Sequence, residues 1–209
     1  MSGYARAGRW CAAFGWVLWI AVQVVAGDPF PPEISLSQYG LGAQGWLFSV
    51  WVILLATSPL LLYRARPVPG PAKWLLAAGY LGVWTMALVR TDEGFQAMST
   101  HAKVHMYGAV LAMVFLPLGI LSVLRYATRL RRLAAGLGIA AGVVGVLVLL
   151  SAVGIDTAGL GAPKSWALWQ GTMLIIEMAL VTHYAVVVPS IDPGSVHHRI
   201  PAPVKSALQ

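Results

Sequence analysis

Glu177 is the residue in this sequence whose setting most calls for chemistry. It falls inside the last of several long apolar runs, on the order of 16 Å along a helix axis from Trp166. An ionisable side chain at that depth costs several kcal/mol to leave unpaired, so it either serves a function or is held neutral by packing and hydrogen bonding. A carboxyl group kept neutral by desolvation is a proton donor. Trp166, Gln170, Met173, Glu177 and Tyr184 recur near multiples of 3.6 residues and so share one helical stripe, which should face protein or a cavity.

A second polar group gathers Arg90, Asp92 and Glu93 with His101, Lys103 and His105. The two histidines stand one helical turn apart and stack on one face, and Asp92 or Glu93 can fold over them from the preceding segment. Such a group can hold a divalent metal, relay a proton or bind an anionic headgroup. Two histidines do not complete a zinc set, so an interfacial hydrogen-bond network of Asp92, His101 and His105 is the plainer expectation, and no metal is assigned.

Nine tryptophans add a third signal. Trp46, Trp74 and Trp166 sit at run ends, where the aromatic belt of a membrane interface accounts for them. Trp51, Trp84 and Trp169 lie deeper. With Tyr39, Tyr107 and Gln170 they are the candidate walls of an apolar pocket, since aromatic faces stabilise cations through their quadrupoles. Ordinary helix packing is the competing account of each.

The elements that must carry these residues are six apolar runs, at 9–27, 46–63, 74–89, 104–124, 134–155 and 166–189. Most approach the ~20 residues that an α-helix needs to cross a bilayer. The expected fold is therefore all-α: a polytopic membrane protein with six transmembrane helices in one bundle over 1–189, followed by a flexible cytoplasmic tail at 190–209. Alternating the loops puts every one of the 14 Lys and Arg except Arg90, Lys103 and Lys164 on one side. By the positive-inside rule that side is cytoplasmic and holds both termini.

With 58% hydrophobic and 10% charged residues, the chain has little material for a soluble domain. Its net charge of +7 is explained by topology and by anionic lipid, and no nucleic-acid partner is expected. The lone cysteine, Cys11, has no intrachain partner. Gly138, Gly142 and Gly145 form a small-residue surface suited to close helix contact in the fifth run.

Three stretches carry a family resemblance: residues 34–48 (ISLSQYGLGAQGWLF), 90–94 (RTDEG), and 99–105 (STHAKVH) opening an apolar helix. Together they resemble the six-helix bacterial membrane proteins grouped as domain of unknown function 998, over residues 34 to about 124. In that family an acidic residue commonly follows the second serine of the first stretch; Gln38 stands there here. The resemblance implies a six-helix bundle in a bacterial cytoplasmic membrane, with polar motifs gathered on the outer side. It implies no activity.

The residues themselves point to an integral membrane enzyme acting on a lipophilic small molecule. Its most concrete form is an isoprenoid cyclase, terpene or meroterpenoid, started by protonation: Glu177 gives the proton, aromatic side chains stabilise the cations, and His105, Gln170 or Tyr107 accepts the final proton. It requires no cofactor. A proton-coupled transporter or lipid-binding membrane protein uses the same acid and histidines, and a structural partner subunit is a third reading. Membrane lipid is the expected surrounding partner; the oligomeric state is open.

Overall fold

The computed structural model describes residues 2–28, 32–93, 99–127 and 131–188. The described residues form six α-helices: α1 (Gly3–Ala26), α2 (Gly45–Ala65), α3 (Ala72–Leu88), α4 (Thr100–Leu124), α5 (Arg131–Ala152) and α6 (Ala162–Val187). A short 3-10 turn, Leu36–Gly40, lies between α1 and α2, and there are no strands among the described residues. The helices fall on the six apolar runs within a few residues at each end. The expected tail at 190–209 lies outside the described residues.

Local chemistry sets several of the boundaries. Ser2 and Ser99 cap α1 and α4, each side chain accepting from a backbone amide of the first turn. Gly27 ends α1 at φ 63°, the left-handed conformation that only glycine adopts cheaply. Pro59 and Pro117 lie inside α2 and α4, where each removes one intrahelical donor.

Five of the helices are long and apolar enough to cross a membrane. The sixth, α3, has 17 residues, about 25 Å of helix against a hydrocarbon core of ~30 Å. Each helix packs on the next, and α6 returns to α1, which closes the ring. In addition α6 reaches α2 and α4, so it touches every helix but α3 in the main packing. The burial follows: 61% of the apolar window of α6 is enclosed, against 17% for α1 and 22% for α5. Glu177 therefore sits on the most enclosed helix. The outer surfaces of α1 and α5 are apolar, with Val17, Ile20, Val24, Ile139 and Val143 all exposed, as lipid-facing helices require.

Polar bonds knit the ring. The Ser58 hydroxyl donates to the Gly8 carbonyl across α2 and α1 (2.8 Å), and Trp16 Nε1 donates to Thr182 Oγ1 across α1 and α6 (2.9 Å). Arg9 Nε donates to the Ala185 carbonyl at 3.0 Å. The closest helix approach was not the one expected. In α5, a methyl group added at Gly142 or Gly145 would meet nothing within 4 Å, and one at Gly138 would meet only the Leu121 side chain. The closest backbone-to-backbone contact between helices is that of α3 and α4, where Gly82 faces Gly108, Gly79 faces Leu116 and Gly119 faces Leu76. Small residues permit close approach only on a face that has a neighbour, and α5 has none at Gly142 and Gly145.

Candidate functional site

A cavity of about 370 Å³ opens between α2, α3, α4 and α6, with the ends of α5 and the 3-10 turn at its rim. The volume lies within the range of ~300–1,000 Å³ usual for small-molecule sites. Besides Ser151, whose hydroxyl bonds to that of Thr157, three buried polar side chains line it: His105, Gln170 and Glu177. Each has an atom without a hydrogen-bond partner, namely His105 Nε2, Gln170 Oε1 and Glu177 Oε1. Native interiors leave few such atoms, and three around one space ask for an account.

The helices set the depth of each group. His105 is five residues into α4, roughly 7.5 Å from its start, whereas Glu177 is fifteen residues into α6, roughly 22 Å from its start. Gln170 lies between, two turns above Glu177 on the same stripe. That stripe divides: Trp166, Gln170 and Glu177 line the cavity, whereas Met173 packs with α5 residues and Tyr184 is fully buried in the main core.

At the outer rim the chemistry is fixed by short bonds. His105 Nδ1 is 2.6 Å from the carbonyl oxygen of Val89, at the end of α3. A carbonyl only accepts, so Nδ1 carries the hydrogen, and in the neutral ring Nε2 is left as an acceptor. Asp92 also lines the rim. Its carboxylate accepts from the Ser99 amide and the Ser99 hydroxyl, both at 2.7 Å. Those two bonds, the amide first, hold its pKa below the ordinary carboxylate value, with a smaller contribution from nearby His101. The carboxylate therefore sits ionised at the start of α4, where the helix dipole favours negative charge.

Asp92, His101 and His105 do not form the single network expected of them. Asp92 supports the cap of α4, His105 turns to α3, and His101 is exposed. One turn of spacing puts the two histidines on neighbouring parts of a face, but α3 covers only the part holding His105. Among the described residues no three His, Cys, Asp or Glu side chains come together as a metal-binding group.

Of the aromatic residues picked as walls, none lines the cavity. Trp51 is fully buried behind Phe48, edge-on to it with ring centres 5.9 Å apart, and only Phe48 reaches the cavity. Trp169 faces α5 and donates to Thr157 Oγ1 at 2.7 Å. Trp84 packs edge-on against Tyr80 and is partly exposed. Tyr107 is 64% exposed on the outer surface of α4. Tyr39 is buried near the N-terminal end of α2, where its hydroxyl donates to the Asp28 carboxylate at 3.0 Å. Burial, then the bond to Asp28, pushes the Tyr39 phenol up from its ordinary pKa.

The walls are instead aliphatic and methionine-rich, with Phe48 and Trp166 the aromatic residues among the lining. Met86, Met106 and Met113 were not singled out from the sequence. The seven-residue interval between Met106 and Met113 does place both on one face of α4, the face that His105 shares. Flexible thioethers suit a cavity that must fit an irregular apolar guest.

The family described as "Protein of unknown function (DUF998)" matches residues 10–187. The chain belongs to this family. As a DUF998 protein it has the six helices that the resemblance implied, and the match takes in α2 to α6, α1 from residue 10 onward and the whole cavity lining. Neither a curated protein nor a solved structure matches the chain.

Proposed function

We propose that this DUF998 protein is an integral membrane enzyme of a bacterial cytoplasmic membrane that carries out acid-initiated chemistry on a lipophilic substrate, in its most concrete form the cyclisation of an isoprenoid. One observation carries the reading: Glu177, buried near the middle of α6, lines an otherwise mainly apolar cavity with an oxygen that no protein group satisfies. An acid in that setting is disfavoured as a free carboxylate and competent as a proton donor.

The proposed step balances without any co-reactant. The Glu177 O–H proton adds to an alkene, whose π pair forms the new C–H bond and leaves a tertiary cation beside the carboxylate. A second alkene of the same chain attacks the cation with its π pair and closes a ring. The final cation loses a proton to the Glu177 carboxylate, which restores the acid, so substrate and product are isomers. Phe48 and Trp166 are the aromatic faces available to the cations. Tyr107, on the outside of the bundle, has no part in it, and Gln170 is a hydrogen-bonding group with no basicity of use.

A second reading has its own support. The cavity runs from the start of α4 to the middle of α6, and His105, Gln170 and Glu177 step down it at three levels. That ladder suits a proton-coupled carrier or a lipid-binding protein as well as an enzyme. Mass spectrometry of lipid extracts from cells with and without the protein separates the two. Catalysis predicts a product isomeric with its precursor, absent from cells carrying Glu177→Gln, which keeps size and hydrogen bonding but has no transferable proton. Undiminished product from a folded Glu177→Gln protein would return Glu177 to helix packing.

A further inference from the structure

We infer that the cavity selects an amphiphile whose head is an uncharged hydroxyl, held at the outer rim by His105, so that the far end of its chain, and never its head, reaches Glu177. The inference deepens the proposed acid chemistry and rests on that reading for its consequence, the site of protonation. The selection itself rests on the geometry and the charge of the rim.

The rim is equipped to take a hydrogen-bond donor. The bond from His105 Nδ1 to the Val89 carbonyl fixes the ring's tautomer, and Nε2 is an acceptor that no protein group satisfies. His105 is 4% exposed, so that acceptor is cut off from bulk water. A hydroxyl group donating to it restores the missing bond; an ether or a bare hydrocarbon does not, and leaves the acceptor unsatisfied. Ser37, Thr91 and Ser151 are the neutral hydroxyl-bearing residues of the same rim.

The same rim is hostile to anions. Asp92 lines it as an ionised carboxylate, and no Lys or Arg side chain lines the cavity among the described residues. Lys164, the basic residue nearest the rim on α6, bonds outward to Glu33 at 3.2 Å with both side chains largely exposed. Arg90 and Lys103 are exposed and outside the lining. A phosphate, diphosphate or carboxylate head would meet a like charge with no cation to offset it, and sites that bind such heads supply Arg, Lys or a metal. Ionisation of an allylic diphosphate is thus a poor fit for this cavity, and protonation of a neutral chain is the chemistry left to it.

Depth gives the orientation. His105 lies near the start of α4 and Glu177 on the order of 15 Å deeper along the bundle. A head bound at Nε2 sends the chain past Met106, Met113 and Gln170 to the acid. Protonation then falls on the terminal alkene, the one farthest from the hydroxyl.

The test is equilibrium binding of three probes of equal chain to the full protein in phosphatidylcholine nanodiscs: farnesol, farnesyl phosphate and farnesyl methyl ether. Farnesol should bind on the order of tenfold more tightly than either of the others. His105→Phe, which keeps the ring and loses the acceptor, should remove the preference over the ether. Asp92→Asn keeps an acceptor for Ser99 and should shift the ratio toward the phosphate. Tighter binding of farnesyl phosphate than of farnesol, or a preference over the ether that survives in folded His105→Phe protein, overturns the inference and leaves the acid role of Glu177 intact. Failure of all three probes to bind overturns the lipophilic site as well. Should Glu177→Gln retain turnover while farnesol keeps its preference, the acid reading falls and the head-group selection stands.

Discussion

Gly82→Ala should damage both the stability of the bundle and the outer rim of its cavity, and the size of the effect can be worked from the α3–α4 contact. A methyl group at Gly82 would stand 2.6 Å from the Gly108 carbonyl oxygen and 2.7 Å from the Ala112 nitrogen. Both are backbone atoms of α4, so no side chain can swing away to make room. Relief requires the helices to part by roughly 0.8 Å to reach the 3.4 Å at which ordinary contact begins, and overpacking of this kind costs ~1–3 kcal/mol. Alanine's better helix propensity returns up to ~1 kcal/mol, leaving a net loss of up to about 2 kcal/mol and a deficit of ~1–3 kcal/mol against an unhindered Gly→Ala change elsewhere in a helix. The same displacement strains the His105 to Val89 bond, which spans the two helices at 2.6 Å, so binding at the rim should weaken with stability. Gly142→Ala is the matched control: its methyl group meets nothing within 4 Å, and its stability should be unchanged or slightly higher. Reversible unfolding in mixed micelles, followed by far-UV circular dichroism, measures both. Equal stability of the two variants would refute the close approach of α3 and α4 as the constraint.

The topology expectation is tested with single cysteines in a Cys11→Ser background: an impermeant maleimide should label positions 33 and 93 on intact cells and position 66 only after permeabilisation, and the reverse pattern would invert the bundle. At the α5–α6 connection, Asp156 accepts from the Ser165 hydroxyl (2.5 Å) and from the amides of Gly161, Ala158 and Leu160, and the Ser165 bond first, then the Gly161 amide, lower its pKa to about 2. A folded value below the ordinary ~3.9 means that its contribution is complete above about pH 4 and is lost as pH falls through about 2. Hydrogen exchange should therefore find those three amides equally protected at pH 7 and pH 4.5 and exposed at either pH by Asp156→Ala; unchanged protection in the variant would remove Asp156 as the anchor of that loop.

The fold was legible because the bilayer imposes one rule on every helix. A segment crossing hydrocarbon must satisfy its backbone internally and present apolar side chains for some 20 residues, and both demands are written in local sequence. The depth of Glu177 was legible for the same reason, since it needs only a residue count and the helical rise. Its stripe with Trp166 and Gln170 followed from the 3.6 period, which survives because α6 is an unbroken helix packed on four others.

What could not be read was which neighbour each face meets. Trp51 and Phe48 are three residues apart on α2, yet Phe48 reaches the cavity and Trp51 lies behind it, a distinction made by where α6 and α4 lie. Gly82 and Gly142 look alike as glycines in apolar helices, but one is pressed on a backbone and the other faces open space. His101 and His105 have a spacing that promises a pair, and the end of α3 claims one and leaves the other in solvent. In each case local sequence gives the face and only the packing gives the partner. The cavity is built from such partner choices, which is why the α6 stripe of Trp166, Gln170 and Glu177 could be read from sequence while the walls facing it could not. For the same reason the methionines matter: Met86 and Met106 come from different helices, and nothing in either segment alone indicates that they flank one cavity.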